Sequence, residues 1–173
     1  MQSYRIAVSA RVDAPPDVVY RLIADYRNGH PRIVPPKYFS NLIVEEGGYG
    51  AGTRFHIDMT VLGRTQRMHA VVTEPQPGRL LVERDVDRGL VTAFEVVPSA
   101  DGACTVTFTT DIPDKGGVAG AIERFLTKRI LPKVYREELS LLEAVARREP
   151  RNVSAAPDAV NETSRSATRP RTS

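Results

Sequence analysis

Three histidines are the side chains best able to exchange a proton near neutral pH: His30, His56 and His69. His56 and His69 share strand faces with Arg54, Asp58 and Arg67, which is the make-up of a solvent-facing surface. His30 sits in a proline-rich segment and could offer a polar contact to a ligand. No cysteine or second histidine falls at the linear spacing of a metal site, so no metal is expected. The segment Leu80–Asp87 carries a sharper signal. If Leu80 and Val82 face inward, so does Arg84; if Leu81 does, so do Glu83 and Asp85. Either parity carries a charge inward, and apolar matching favours Leu80, Val82 and Arg84. A buried charge needs a partner or a ligand. Gly47–Gly52 is glycine-rich, but no Gly-Lys-Ser/Thr follows and a strand comes next. It reads as a hairpin turn, not a phosphate cradle.

The elements that must position these groups are legible from periodicity. Tyr4, Ile6, Val8, Ala10 and Val12 alternate with polar residues, which predicts a strand with one buried face. Pro15, between Asp13 and Asp17, opens a helix whose apolar stripe is Val18, Val19, Leu22, Ile23 and Tyr26. Prolines between Asp25 and Lys37 leave room for a short helical turn near Arg32. From Tyr38 to Asp111 the chain reads as six antiparallel strands joined by tight turns. Their alternating positions include Phe55, Ile57 and Met59, then Met68, Ala70 and Val72, then Phe94 and Val96, then Cys104, Val106 and Phe108.

A last helix is predicted from Gly117 to Arg147, about 45 Å long. Val118, Ile122, Phe125, Leu126, Ile130 and Val134 recur at helical steps, as do Leu131, Tyr135, Leu139, Leu142 and Val145. Pro132 falls on the polar side, where a kink would make the apolar face concave. The basic residues Arg124, Lys128 and Arg136 are interspersed with Glu123, Glu137, Glu138 and Glu143, which reads as a solvated face. Gly116, Gly117 and Gly120 at the helix start could act as a hinge. One helix must cover one long meander, so the class is α+β. Small inward residues (Ala70, Thr92, Cys104, Thr110) and the absence of tryptophan imply close approach or a cavity.

The 173 residues carry a net charge of +3, and residues 148–173 hold five arginines against three acids. The rest is close to neutral, which argues against a nucleic-acid surface. The tail has no apolar period and is expected to be disordered. The single Cys104 excludes an intrachain disulfide and suits a reducing compartment. No signal-peptide pattern and no membrane-length apolar run is present, so a cytoplasmic setting is expected.

The order of elements, the stretch Val12–Tyr20, Gly50–Phe55, the turn Thr73–Leu80 and the closing helix resemble the START-like (SRPBCC) superfamily, in its polyketide cyclase/dehydrase-type branch. The resemblance covers about residues 3–147. It implies a helix-grip fold: a curved antiparallel sheet of about seven strands wrapped on a long C-terminal helix, with two short helices between strands 1 and 2. The domain would span 1–147, and the tail 148–173. It also implies a cavity lined by Phe55, Ile57, Met59, Met68, Ala70, Val72, Val82, Phe94, Val96, Val106, Phe108, Ile122, Phe125, Leu126 and Ile130. Relatives bind lipids, sterols, polyketides, quinones or plant hormones, and a minority cyclise or aromatise polyketides. In polyketide-acting relatives, cavity arginines and tyrosines hold enol or carboxylate oxygens. That makes Arg84 and Tyr26, with His30, the candidate catalytic residues. The first expectation is a carrier or sensor of a small hydrophobic molecule, such as a lipid or polyketide, needing no cofactor, no nucleic acid and no stable membrane insertion. The second is a polyketide cyclase/aromatase-like enzyme. A third is an interaction module whose cavity is plugged by Phe55, Met59, Met68, Phe94, Phe108 and Phe125. The oligomeric state stays open.

Overall fold

The computed structural model describes residues 2–149, and residues 150–173 of the tail expected over 148–173 lie outside the described residues. Strand β1 (Ser3–Val12) leads into α1 (Pro16–Ala24) and a single 3-10 turn (His30–Arg32). Six strands follow: β2 (Phe39–Glu46), β3 (Arg54–Val61), β4 (Arg64–Gln76), β5 (Leu80–Asp85), β6 (Val91–Pro98) and β7 (Cys104–Pro113). Helix α2 (Gly117–Ala146) closes the fold. The seven strands form one antiparallel sheet in the order β1-β7-β6-β5-β4-β3-β2. Short turns make β2 to β7 a meander, as the sequence predicts. Strand β1 returns to the far side of it and pairs with β7 from Ser3↔Pro113 to Val12↔Cys104. Of the two short helices expected after β1, one is a helix and the other a turn, because Pro31, Pro35 and Pro36 leave no length for more.

Helix α1 begins at Pro16, where a missing N–H matters least, with Asp17 in its positive first turn. It buries Val18, Val19, Leu22 and Ile23 against β6 and α2. The glycine-rich loop after β2 clasps its C-terminal end: Tyr26 N–H donates to the Gly48 carbonyl (2.9 Å) and Gly50 N–H to that of Ala24 (3.0 Å). Gly50 has φ +57°, and a Cβ there would collide with the Glu74 carboxylate. That carboxylate accepts the Tyr20 hydroxyl (2.5 Å) and the Ala51 N–H (2.7 Å). The loop is thus a packed hairpin connection.

The β3–β4 hairpin turns on two residues, Leu62 (φ 51°) and Gly63 (φ 73°), closed by the Val61↔Arg64 pair. A two-residue turn with both φ positive favours asparagine before glycine, and leucine is strained there. Leu62→Asn is therefore expected to stabilise the fold by about 0.5–1 kcal/mol in urea unfolding; no gain would mean that the strained turn carries no cost.

Helix α2 departs from the sequence expectation. Val134, Tyr135, Glu138, Leu139, Leu142 and Ala146 are buried, so the sheet grips its C-terminal half. Val118, Ile122, Phe125 and Leu126 in its first half are exposed, Phe125 at 66%. Pro132 lies between the two halves. It supplies no N–H for the Lys128 carbonyl, so the helix is weakest where it passes from exposed to buried.

Candidate functional site

The parity of β5 decides what the interior can do. Leu81, Glu83 and Asp85 face inward, while Arg84 is exposed on the outer face. The sequence preference for Leu80, Val82 and Arg84 is thereby corrected, and Val82 and Arg84 leave the interior. Register is the reason: Leu81 pairs with Phe94 and Glu83 with Thr92, so β6 dictates which residues of β5 point in.

Glu83 is buried amid aromatic side chains. Its Oε1 accepts the Tyr26 hydroxyl at 2.6 Å. The His30 Nδ1–H donates to the Ile23 carbonyl (2.8 Å), which leaves the bare Nε2 facing Glu83 Oε1 at 3.8 Å. The imidazole stacks on the Tyr26 ring, with centroids 4.6 Å apart. His30 and Glu83 would be an ion pair if both were charged, but burial favours the neutral form of each. It pushes the Glu83 carboxyl up to about 7, against the pull of the Tyr26 hydrogen bond. It pushes the His30 imidazole down to about 4. Burial, reinforced by the neighbouring carboxylate, also raises the Tyr26 phenol.

A second acid faces the same interior from α2. Glu138 is 3% exposed, and no side chain among the described residues hydrogen-bonds its carboxyl. Burial, then the charge of Glu83, holds it protonated well above the ordinary carboxylate range. One turn earlier, the Tyr135 hydroxyl bonds Thr110 Oγ1, which in turn meets Thr92 Oγ1 at 3.0 Å. Asp85, the third inward acid, caps the turn after β5 by accepting the Asp87 and Arg88 N–H groups on Oδ1. Beside it the interior offers the Glu83 and Glu138 carboxyls within electrostatic reach of each other, two phenols and two hydroxyls in an apolar frame. Two like charges in one dry site resist joint ionisation, so at most one carboxyl is charged near neutrality. Such a set can donate hydrogen bonds to carbonyl or enol oxygens and can take a proton onto Glu83.

The frame is aromatic. Tyr26 packs on Phe55 (4.6 Å between centroids), His30 on Phe94 (5.9 Å), Phe94 on Phe108 (4.7 Å) and Phe108 on Tyr135 (5.6 Å). Of the residues expected to line a cavity, Phe55, Ile57, Ala70, Val72, Phe94, Val96, Val106 and Phe108 are buried here. Met59, Met68 and Ile130 are half-buried. Ile122, Phe125 and Leu126 stand in solvent because the first half of α2 is not gripped. Two clefts of about 160 and 180 Å³, one by Asp13 and Arg147 and one by Val8 and Arg136, lie on the flanks of α2. Neither reaches the aromatic interior.

Tyr26 and His30, both singled out in the sequence, are brought together; Arg84 is not with them. Glu83 was visible only as the other parity. Glu138 was assigned to the solvated face, and the structure corrects this. Its signal lay in the spacing Leu131, Tyr135, Glu138, Leu142, which is an apolar stripe with an acid in it. His56 and His69 lie on the outer face, as a cross-strand pair.

A match to the family described as "Polyketide cyclase / dehydrase and lipid transport" runs over residues 3–147. The chain belongs to that family. No curated protein sequence matches it. Among solved structures, the KanY protein (ms6282) is 26% identical with a TM-score of 0.74, covering 85% of this chain and 99% of its own. The Zhui aromatase/cyclase from Streptomyces sp. R1128 is 15% identical, TM-score 0.71, over 85% of this chain and 95% of that one. A START superfamily protein from Mycobacterium smegmatis is 12% identical, TM-score 0.65, over 83% and 97%. The latter two likenesses show the fold alone. Family and fold together suggest a hydrophobic-ligand-binding or polyketide cyclase-like role. Among the described residues, no helix is long and apolar enough to cross a membrane.

Proposed function

We propose that the chain binds a small, mostly apolar molecule carrying keto, enol or phenol oxygens, held between the inner face of the sheet and the C-terminal half of α2. One observation carries this reading: Glu83, buried and hydrogen-bonded to Tyr26, sits in an aromatic frame with Glu138. Two buried acids would cost stability without return in a plain core. Protonated, they match ligand oxygens that water would otherwise hold. The aromatic rings supply the apolar contact, and ligand burial drives association at roughly 0.8 kcal/mol per CH₂.

A second reading has its own support. A carboxyl held at about 7 can both give and take a proton at neutral pH, as acid–base catalysis of a poly-β-keto chain requires. Glu83 would then remove a proton from a carbon between two ketones, and the Tyr26 or Glu138 hydroxyl would hold the enol oxygen.

The test is a fluorescence titration with a hydroxylated anthraquinone, followed by incubation with a linear poly-β-keto thioester. Saturable binding is expected, weakened about tenfold by Glu83→Ala or Tyr26→Phe and unchanged by Arg84→Ala. Binding without turnover favours the carrier; turnover lost in Glu83→Gln favours the enzyme. Absence of binding, or binding indifferent to Glu83 and Tyr26, sinks both.

A further inference from the structure

The outer face of the sheet carries a cluster that the interior chemistry does not use. Strand β2 brings Glu45, β3 His56 and β4 His69. The two-residue turn at Leu62 and Gly63 sets the β3–β4 register so that His56 lies directly opposite His69. Their rings approach to 5.8 Å between centroids. One carboxylate oxygen of Glu45 and one ring nitrogen of each histidine lie within 4.8 Å of one another. His56 Nδ1 is 2.9 Å from Glu45 Oε1, and His69 Nδ1 is 2.7 Å from Asp87 Oδ2 in the turn after β5.

Two imidazoles and a carboxylate are the donor set of a borderline divalent transition cation. Bonds of about 2.0–2.2 Å put tetrahedral donors about 3.3–3.6 Å apart. The cluster therefore needs about an ångström of side-chain closure, and three hydrogen-bonded strands hold the backbone in place meanwhile. Arg67, the next cation outward on β4, does not compete for Glu45. It is held by Asp58 through bonds of 2.7 and 2.9 Å. Asp87 already stands where a carboxylate fixes the orientation of a ligating imidazole.

We infer that Glu45, His56 and His69 form a binding site for Zn²⁺ or a similar divalent transition cation, with Asp87 orienting His69 and water completing the coordination. The ion ties edge strand β2 to β3 and β4. Its binding free energy adds to folding stability, because the unfolded chain holds no such preformed site. The site shares no residue with the buried acids and stands independently of the ligand proposed for them.

The full chain, freed of metal by chelator and titrated with Zn²⁺ in a calorimeter, decides this. One ion per chain and a higher Tm with Zn²⁺ are expected, both reversed by chelator. His56→Ala and His69→Ala should each weaken binding by about tenfold or more, and Glu45→Gln comparably. Asp87→Asn should weaken it less than loss of a ligand does. Ring-proton NMR of the unmutated protein keeps the inference testable if a variant misfolds: His56 and His69 should shift with Zn²⁺ while buried His30 stays. No saturable binding, or undiminished binding in the His56→Ala/His69→Ala double variant, overturns the site. So does a titration in which His30 alone responds.

Discussion

Replacing Glu83 by glutamine is expected to raise stability by about 3 kcal/mol at pH 8 and to leave it unchanged at pH 4. The folded carboxyl holds its proton up to about 7, against 4.5 ordinarily. Between those values the folded chain keeps a proton that the unfolded chain releases. Stability is therefore lost as pH rises through that window. Glutamine has the same shape and no charge. Its carbonyl oxygen still accepts from Tyr26 in the place of Oε1. His30 works in the opposite direction. Its folded imidazole titrates at about 4 against 6.5 ordinarily, so its contribution is present above 6.5 and lost as pH falls toward 4. In the unmutated chain the two slopes oppose each other between 4.5 and 6.5. Glu83→Gln should remove the slope that opposes the histidine, so that the contribution of this pair climbs from pH 4 to 6.5 and then stays level. Asp58, pulled down by Arg67, is common to the two proteins and cancels in the difference. Glu138, pushed up first by burial and then by the charge of Glu83, is held less high in Glu83→Gln, which adds to the gain in stability at high pH. Urea unfolding from pH 4 to 8 reads that difference directly. A difference curve flat from pH 4.5 to 7 would show that Glu83 is ionised in the folded chain, and the acid–base reading would go with it.

Much of the fold was open to inspection in the sequence because its turns are short. Gly63, Gly78 and Gly102 mark hairpins that leave a strand no partner but its neighbour. The pairing of β1 with β7 follows because α1 and a turn carry the chain across while β7 remains free. Helix α2 was legible as a helix but not in how it is held. Its apolar period runs from Val118 to Val145, yet a period says which face is apolar, not whether a sheet reaches it. The contact that Ile122 and Phe125 require is tertiary, and the sheet covers only the second half of the helix.

The site departs from the sequence expectation in the parity of β5 and in the burial of Glu138. Six residues of β5 offer apolar side chains to both faces, so local counting chose Leu80 and Val82. The pairing Leu81↔Phe94 chose otherwise. With it, Arg84 takes the outer face and Glu83 the interior. The charge of Glu138 points to solvent in the sequence, and the fold buries it. An acid in an apolar stripe is instead a sign of function or of a cost borne for it. The His56–His69 pair was hidden by its separation along the chain. The hairpin centred on Leu62 and Gly63 pairs 61 with 64, hence 56 with 69, so the turn itself carried that information.

Phe108→Ala is the other large change, and it tests whether the interior is a core or a closed pocket. Phe108 is fully buried, edge-on to Phe94 at 4.7 Å and to Tyr135 at 5.6 Å. Truncation should cost about 3–5 kcal/mol in urea unfolding, from lost contact and from the void left behind. The void would be lined by rings and by Val96 and Val106, so it should stay dry and accept a small apolar molecule. A ligand that enters beside Glu83 must first move these rings in the unmutated chain, and that work weakens its binding. Removing Phe108 removes part of the work. If a third of the lost stability, about 1.4 kcal/mol, had opposed the ligand, the hydroxyanthraquinone should bind about tenfold more tightly to the less stable variant. Stability and affinity would then move in opposite directions. A void in any core also admits a small apolar molecule, so the gain marks a plug only where Glu83→Ala in the same variant abolishes it. A variant that loses stability while its affinity stays the same would place the ligand outside the aromatic frame. The uncovered face of α2 at Ile122 and Phe125 would then be the apolar surface left to hold it.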